Sequence, residues 1–216
     1  MLEKMSDFFE ARLKDYDCHM RNDIAGAGEF YPFTASVLPS FEMSCILDLG
    51  CGTGLELEDY YKICPSARVT GIDLSEKMLS ALREKFPDRE ITLLAGSYFE
   101  LPLGEGIYDG AVSVESLHHF TKEEKLLLYT KLHVALKETG YFILTDYFAS
   151  SDEEETLHRQ TFLALKAEQG ICDHDFYHYD TPLTVQHEIE TLRDAGFSSV
   201  TVLNHWGATY TIKAEK

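Results

Sequence analysis

The chain has 216 residues, 44% of them hydrophobic, enough for one α/β domain with a full core. A net charge of −18 disfavours nucleic acid, whose binding rests on Lys and Arg contacts to phosphate, and leaves small molecules as the expected partners. No run approaches the ~20 apolar residues of a membrane span, and five cysteines without a CxxC pair argue against a disulfide framework or zinc knuckle. The N-terminus is charged and amphipathic, unlike a signal peptide, so a cytoplasmic protein is expected, as a monomer or homodimer.

Residues 2–20 read as an amphipathic helix and residues 29–41 as a short second one, bounded by Pro32 and Pro39. The pattern then alternates. Strands are expected at 44–50, 67–74, 91–97, 108–116 and 141–147. Helices are expected between them at 54–64, at 75–86 from a Ser75 cap, and at 121–140 from a Thr cap to a Gly stop. Such alternation implies right-handed crossovers and a parallel sheet. Beyond it come a helix over 151–169, a polar and aromatic loop over 170–182, and a helix over 184–197. Two final strands at 199–205 and 208–214, joined by a tight turn, should pair antiparallel.

The stretch ILDLGCGTG, residues 46–54, ends a strand on an acid and then sets glycines at every second position, Gly50, Gly52 and Gly54. Bare backbone there implies close approach to a ligand. The P-loop pattern is absent, and the spacing is GxGxG rather than the dinucleotide GxGxxG, with Leu55 where that pattern wants glycine. Asp48 precedes the first glycine and suits an ammonium group better than a pyrophosphate. Asp73 ends the next strand, where a carboxylate can accept from both hydroxyls of a ribose. Amine, carboxylate and adenosine together describe S-adenosylmethionine.

With these residues the chain resembles the class I S-adenosylmethionine-dependent methyltransferases. ILDLGCGTG matches the first motif, VTGIDLSEKML the second-strand motif, YDGAVSVESLHHF the fourth-strand motif and ALKETGYFILTDY the entry to the fifth strand. AGSYFELPL stands where the family commonly has G-D-x-x-x-LP. The resemblance implies a three-layer Rossmann-like fold with seven strands ordered 3-2-1-4-5-7-6, the last antiparallel. It implies one domain over 1–216: a helical cap (1–42), a cofactor-binding half (43–147), a helical and loop lid segment (148–182), and a C-terminal helix with hairpin (183–216).

Carried onto this sequence, the resemblance puts Gly50, Gly52 and Gly54 beside the methionine and ribose, with Asp48 bonding nearby and Asp73 on the ribose hydroxyls. Leu74 and Met78 would pack on the adenine. Ser97 replaces the usual Asp at the adenine amino group, and the Tyr98 amide would meet the ring. Val114 and Glu115 would lie near the sulfonium. The product would be S-adenosylhomocysteine.

Methyl transfer needs alignment above all, and a base only for a protonated acceptor. His118 and His119 follow the fourth strand and could supply that base or position the acceptor; packing at a helix start is the other reading. Tyr16, His19 and Tyr31 could form a lid, and Asp146 could touch the acceptor. His174 and His178 have a helical metal spacing, but nothing forces a helix so close to Pro182, so no metal is expected and the segment reads as a loop over the acceptor site. Three competing functions stay open: a tRNA-modifying enzyme of the wobble-uridine type, a non-catalytic cofactor-binding protein, and an NAD-dependent oxidoreductase. Charge speaks against the first and the missing GxGxxG against the last.

Overall fold

The apolar runs become strands, the central ones buried on both sides. In the computed structural model, which describes residues 1–172 and 175–216, these are β1 (Cys45–Leu49), β2 (Arg68–Asp73), β3 (Ile91–Ala95), β4 (Tyr108–Val114), β5 (Leu136–Tyr147), β6 (Ser199–Trp206) and β7 (Thr209–Glu215). They form one sheet ordered β3-β2-β1-β4-β5-β7-β6. The first five run parallel, and β7 lies antiparallel between β5 and β6, as the hairpin pattern and the family resemblance led one to expect.

Cover on both faces explains why so short a strand as β1, CILDL, is apolar except for Asp48. Ile46 joins a core with Leu57, Tyr60, Val69 and Leu82 on one face. Leu47 and Leu49 join a second core with Leu132, Phe142 and Leu144 on the other. A strand covered twice cannot alternate with polar residues. The first core is closed by α2 (Ala27–Ser36), α3 (Leu55–Ile63) and α4 (Glu76–Lys85), and the second by α5 (Lys122–Ala135) and α7 (Val185–Asp194). Ser75 caps α4 by accepting from the Met78 amide, and Thr121 with Glu124 forms a reciprocal capping box on α5. A buried ion pair ties α5 to α7: Lys125 Nζ lies 2.6 Å from Glu188 Oε2, and the Tyr129 hydroxyl donates to the other oxygen.

Two boundaries differ from the pattern reading. The helix expected over 121–140 ends at Ala135, and Leu136 is already extended, fully buried and paired with Tyr108. The ladder then slips register between Tyr108 and Gly110. A Cβ on Gly140 would approach the carbonyls of Lys137 and Tyr108 to 3.0 Å, so this glycine serves backbone crowding in a bulged strand rather than a helix stop. Pro32 lies inside α2 instead of bounding it. Its missing N–H forfeits one bond, but burial of Phe30, Tyr31 and Ala35 holds the helix.

The carboxyl ends of β1, β2, β4 and β5 open on one edge of the sheet. Two segments distant in sequence meet above it. Helix α1 (Met5–Asn22) is docked to residues 176–178 by a short antiparallel pairing, with the Met5 amide bonded to the Phe176 carbonyl (2.9 Å) and the His178 amide to the Glu3 carbonyl (3.0 Å). The remaining helix, α6 (Asp152–Glu168), is capped by Ser151. Asp173 and His174, and with His174 the His174–His178 spacing, lie outside the described residues.

Candidate functional site

The turn after β1 is built from glycines in the left-handed region, with φ of 74° at Gly50, 48° at Gly52 and 73° at Gly54. A Cβ on Gly50 would stand 2.1 Å from the Ser116 hydroxyl, so no other residue fits there. Gly54 serves packing instead: its Cβ would press on Phe86, Leu82 and Leu57 at 3.1–3.3 Å. Cys51 fills the turn as a buried thiol beside Gly71, with ionisation pushed well up by burial and then by Asp48.

Asp73 ends β2 facing this turn. Its Oδ2 accepts from the Gly52 amide (2.9 Å) and its Oδ1 from the Ser75 amide (2.8 Å). A carboxylate offers about four acceptor positions, so two remain free for a ligand. Burial raises its pKa, and the two amide bonds oppose that shift.

Behind the turn sits a pair of buried acids, Asp48 and Glu56. Burial raises both pKa values; for Asp48 the neighbouring Glu56 carboxylate adds to the rise. The two carboxyls hydrogen-bond to each other, which requires a shared proton, and they stand behind the cavity wall rather than in it.

The cavity holds about 480 Å³ of empty space, part of it open to solvent, and lies between the glycine turn and α1. Its walls include Gly50, Gly52, Asp73, Leu74, Met78 and Tyr98 on the sheet side, and Met5, Phe9 and Tyr16 from α1. Tyr16 stands over Gly52, and burial, reinforced by Asp73, keeps its phenol protonated. Tyr31 lies buried behind it, likewise held protonated by burial. His19 does not join them: although i, i+3 spacing puts it near the Tyr16 face of α1, it is exposed and paired with Asp23 at 2.8 Å. Ser97 and Val114 lie behind the wall, Ser97 closing the turn after β3 by accepting from the Phe99 amide and Val114 packed in the core with Val112 and Ile143.

The far end of the cavity is polar. Glu115, at a left-handed φ of 47°, accepts from Thr209, and burial followed by Asp146 pushes its pKa up to about 7. His118 and His119 form a single 3-10 turn (Leu117–His119). His118 Nδ1 is 2.5 Å from Asp146 Oδ1, while Asp146 Oδ2 accepts from the Leu117 amide at 2.9 Å. Burial opposes protonation of His118, but Asp146 outweighs it and holds the imidazole at about 9. His118 is therefore already protonated at neutral pH and not poised as a base. His119 is lowered by burial and then by the His118 charge, and so stays neutral. Asp180 completes the group, 3.2 Å from His119 Nδ1 and 3.6 Å from His118 Nε2. Glu56, Ser116 and Asp180 were not singled out by sequence reading. Asp180 carried a signal, since its loop is rich in His, Tyr and Asp, but no position within that loop stood out.

Residues 46–140 match the family described as Methyltransferase domain, and the whole sheet order is that of the class I enzymes. The match covers under half of the chain, and with the sheet order it gives the chain the fold of the class I S-adenosylmethionine-dependent methyltransferases. The chain shares its fold with a S-adenosylmethionine dependent methyltransferase from Mesorhizobium loti, at a TM-score of 0.64 and 23% identity, over 86% of this chain and 96% of that one. It is 26% identical over 206 residues to the biotin biosynthesis bifunctional protein BioHC of Teredinibacter turnerae, covering 91% of this chain and 34% of the relative. It is 28% identical over 145 residues to the demethylmenaquinone methyltransferase of Symbiobacterium thermophilum, covering 63% and 56%. The chain thus spans about a third to a half of the length of these curated relatives.

The cavity fits the family's cofactor. Its charged lining groups are Asp73 and Glu115, and no Lys or Arg is among the described residues of its wall. A sulfonium and an ammonium group suit such a wall, and the glycine floor admits a ligand against bare backbone.

Proposed function

We propose that this protein binds S-adenosylmethionine across the Gly50–Asp73 end of the cavity and transfers the methyl group to a small-molecule acceptor at the His119 end. The observation that carries the reading is the Asp73 carboxylate, held by the Gly52 and Ser75 amides with acceptor positions to spare. When bound, the cofactor supplies an already activated methyl group on a sulfonium. The residues need mainly to align the acceptor and exclude water, which is worth about 7–11 kcal/mol in favourable cases.

In this reading Gly50 and Gly52 present backbone to the methionine part, Asp73 accepts from the ribose, and Leu74, Met78 and Tyr98 flank the adenine. Asp48, bonded to Glu56 behind the glycine turn, bonds toward the ammonium. Glu115 lies near the sulfonium. Tyr16, with Phe9, closes the cavity from above. His118 and His119 position the acceptor rather than take its proton, since His118 already carries one at neutral pH. All five cysteines are free, and no helix among the described residues is long and apolar enough to cross a membrane, which supports a reducing, cytoplasmic setting.

Calorimetric titration with S-adenosylmethionine, S-adenosylhomocysteine and NAD, on wild type and Asp73→Ala, tests the reading. Binding of the first two at micromolar level, lost in the variant, is expected. Preference for NAD, or no binding of either sulfur compound, would overturn it.

A further inference from the structure

The polar cluster beyond β4 and β5 has distances that methyl transfer alone does not require. His118 Nε2 stands 3.6 Å and His119 Nδ1 3.2 Å from the same oxygen, Asp180 Oδ1. One ligand atom from each of the three residues lies within 4.8 Å of the others. The first separation is too long for a hydrogen bond. The second is at the long end for an N–H···O bond, and the same Nδ1 lies 3.3 Å from the Tyr179 carbonyl. Both lie close to the edge of a tetrahedron drawn around a divalent ion with bonds of ~2.0–2.1 Å, an edge of roughly 3.3 Å.

The cluster is also braced from behind. Asp146 holds His118 through Nδ1, which fixes the ring and leaves Nε2 turned toward Asp180. A carboxylate behind a histidine is the usual support of a metal-bound imidazole. The Thr181 amide donates to the His118 carbonyl at 2.7 Å, so the loop bearing Asp180 is tied to the turn bearing both histidines. Within 4 Å, the basic side chains paired with Glu115, Asp146 and Asp180 among the described residues are these two histidines alone. A divalent ion bound there would displace the proton that Asp146 holds on His118 and take over its charge beside the carboxylates.

We propose that His118 Nε2, His119 and Asp180 form a divalent transition-metal site at the acceptor end of the cavity, with a coordination position left for an oxygen of the acceptor. Sequence reading weighed only the His174–His178 spacing and expected no metal; the ligands here come from two segments that only the fold brings together. Two imidazoles and one carboxylate select Zn²⁺ or a neighbouring first-row ion over Mg²⁺ or Ca²⁺. The identity of the occupant of the open position rests on the methyl-transfer reading; the metal itself does not. A hydroxyl bound there ionises more readily: its O–H bond breaks heterolytically, the electron pair stays on oxygen, and the proton leaves to water. The acceptor class is thus a hydroxyl compound.

The test is a titration of the full, chelator-stripped chain with Co²⁺, followed by visible absorption, with Zn²⁺ competition by calorimetry. One Co²⁺ per chain with the intense absorption of a four- or five-coordinate ion is expected. His119→Ala and Asp180→Asn should abolish that absorption. Asp146→Asn should weaken binding by about 10–100-fold, as removal of an outer partner does. His205→Ala, on the exposed part of the β6–β7 hairpin, should change nothing. Only the weak spectrum of a six-coordinate hydrated ion, or an absorption undiminished in both His119→Ala and Asp180→Asn, overturns the proposal. S-adenosylmethionine affinity and cooperative unfolding are measured on every variant. They report on folding, and absence of cofactor binding with intact metal binding would overturn the methyl-transfer reading alone.

Discussion

At the β1–β2 end the cavity wall is mostly backbone. Gly50 and Gly52 present amides and empty space, and the single carboxylate of Asp73 is fixed by the Gly52 and Ser75 amides. At the β4–β5 end the wall is mostly side chain: Glu115, His118, His119, Asp146 and Asp180 hold one another in place. A backbone wall is specified by a few consecutive residues and tolerates almost no substitution. A side-chain wall is assembled from distant segments, and each member depends on the charge of the others. The first arrangement fits one constant ligand. The second can be changed residue by residue to suit different acceptors.

This contrast can be broken by experiment. The largest effect is expected from Gly50→Ala, where a positive φ and a Cβ 2.1 Å from the Ser116 hydroxyl combine. Strain and clash should cost about 3 kcal/mol, a fall of roughly 6–12 °C in melting temperature, and cofactor binding should be lost. Near-native melting would mean that the turn is softer than its geometry implies.

Asp73→Ala comes next. Loss of two charge-assisted bonds to the ligand should weaken S-adenosylmethionine and S-adenosylhomocysteine about 100-fold or more by calorimetry. Asp146→Asn, at the other end, should leave both affinities within about threefold while lowering stability by about 1–3 kcal/mol, since a buried network of three bonds loses an acceptor. Equal damage to cofactor binding from both variants would mean that the two ends are not independent.

The smallest effect concerns the acid pair behind the turn. The folded-state pKa values of Asp48 and Glu56 are raised above the unfolded values of about 3.9 and 4.3. The folded chain then binds more protons than the unfolded one, so stability falls as pH rises from about 4 through the folded values. Asp73, Tyr16, Tyr61, Cys51 and Lys85 face the same pair electrostatically. Glu56→Gln should therefore stabilise the ligand-free protein at pH 7 by about 1 kcal/mol, roughly 2–4 °C, with the gain vanishing below about pH 4. Thermal unfolding of both proteins across that range checks the sign, and a gain that grows on acidification would reverse it.

Local sequence determined much of this molecule. The glycines after β1 and the acid ending β2 are legible because left-handed backbone and strand-end carboxylates are demanded within a few residues of one another. Strand and helix identities were legible because period-two and period-3.6 patterns report burial directly, and Ser75 and Thr121 marked helix starts by chemistry that acts over three residues. The boundary at Leu136 was not legible, because its pairing with Tyr108 is a tertiary contact that overrides the helical continuation through Glu138. Neither was the acid pair, since nothing in the order of residues tells that Glu56 turns inward on α3 toward Asp48. Tertiary structure alone decided that His19 faces solvent while Tyr16, three residues earlier, covers Gly52. It alone joined Asp180 to His119, because loop closure over some sixty residues is set by the packing of the elements between them and not by any local preference.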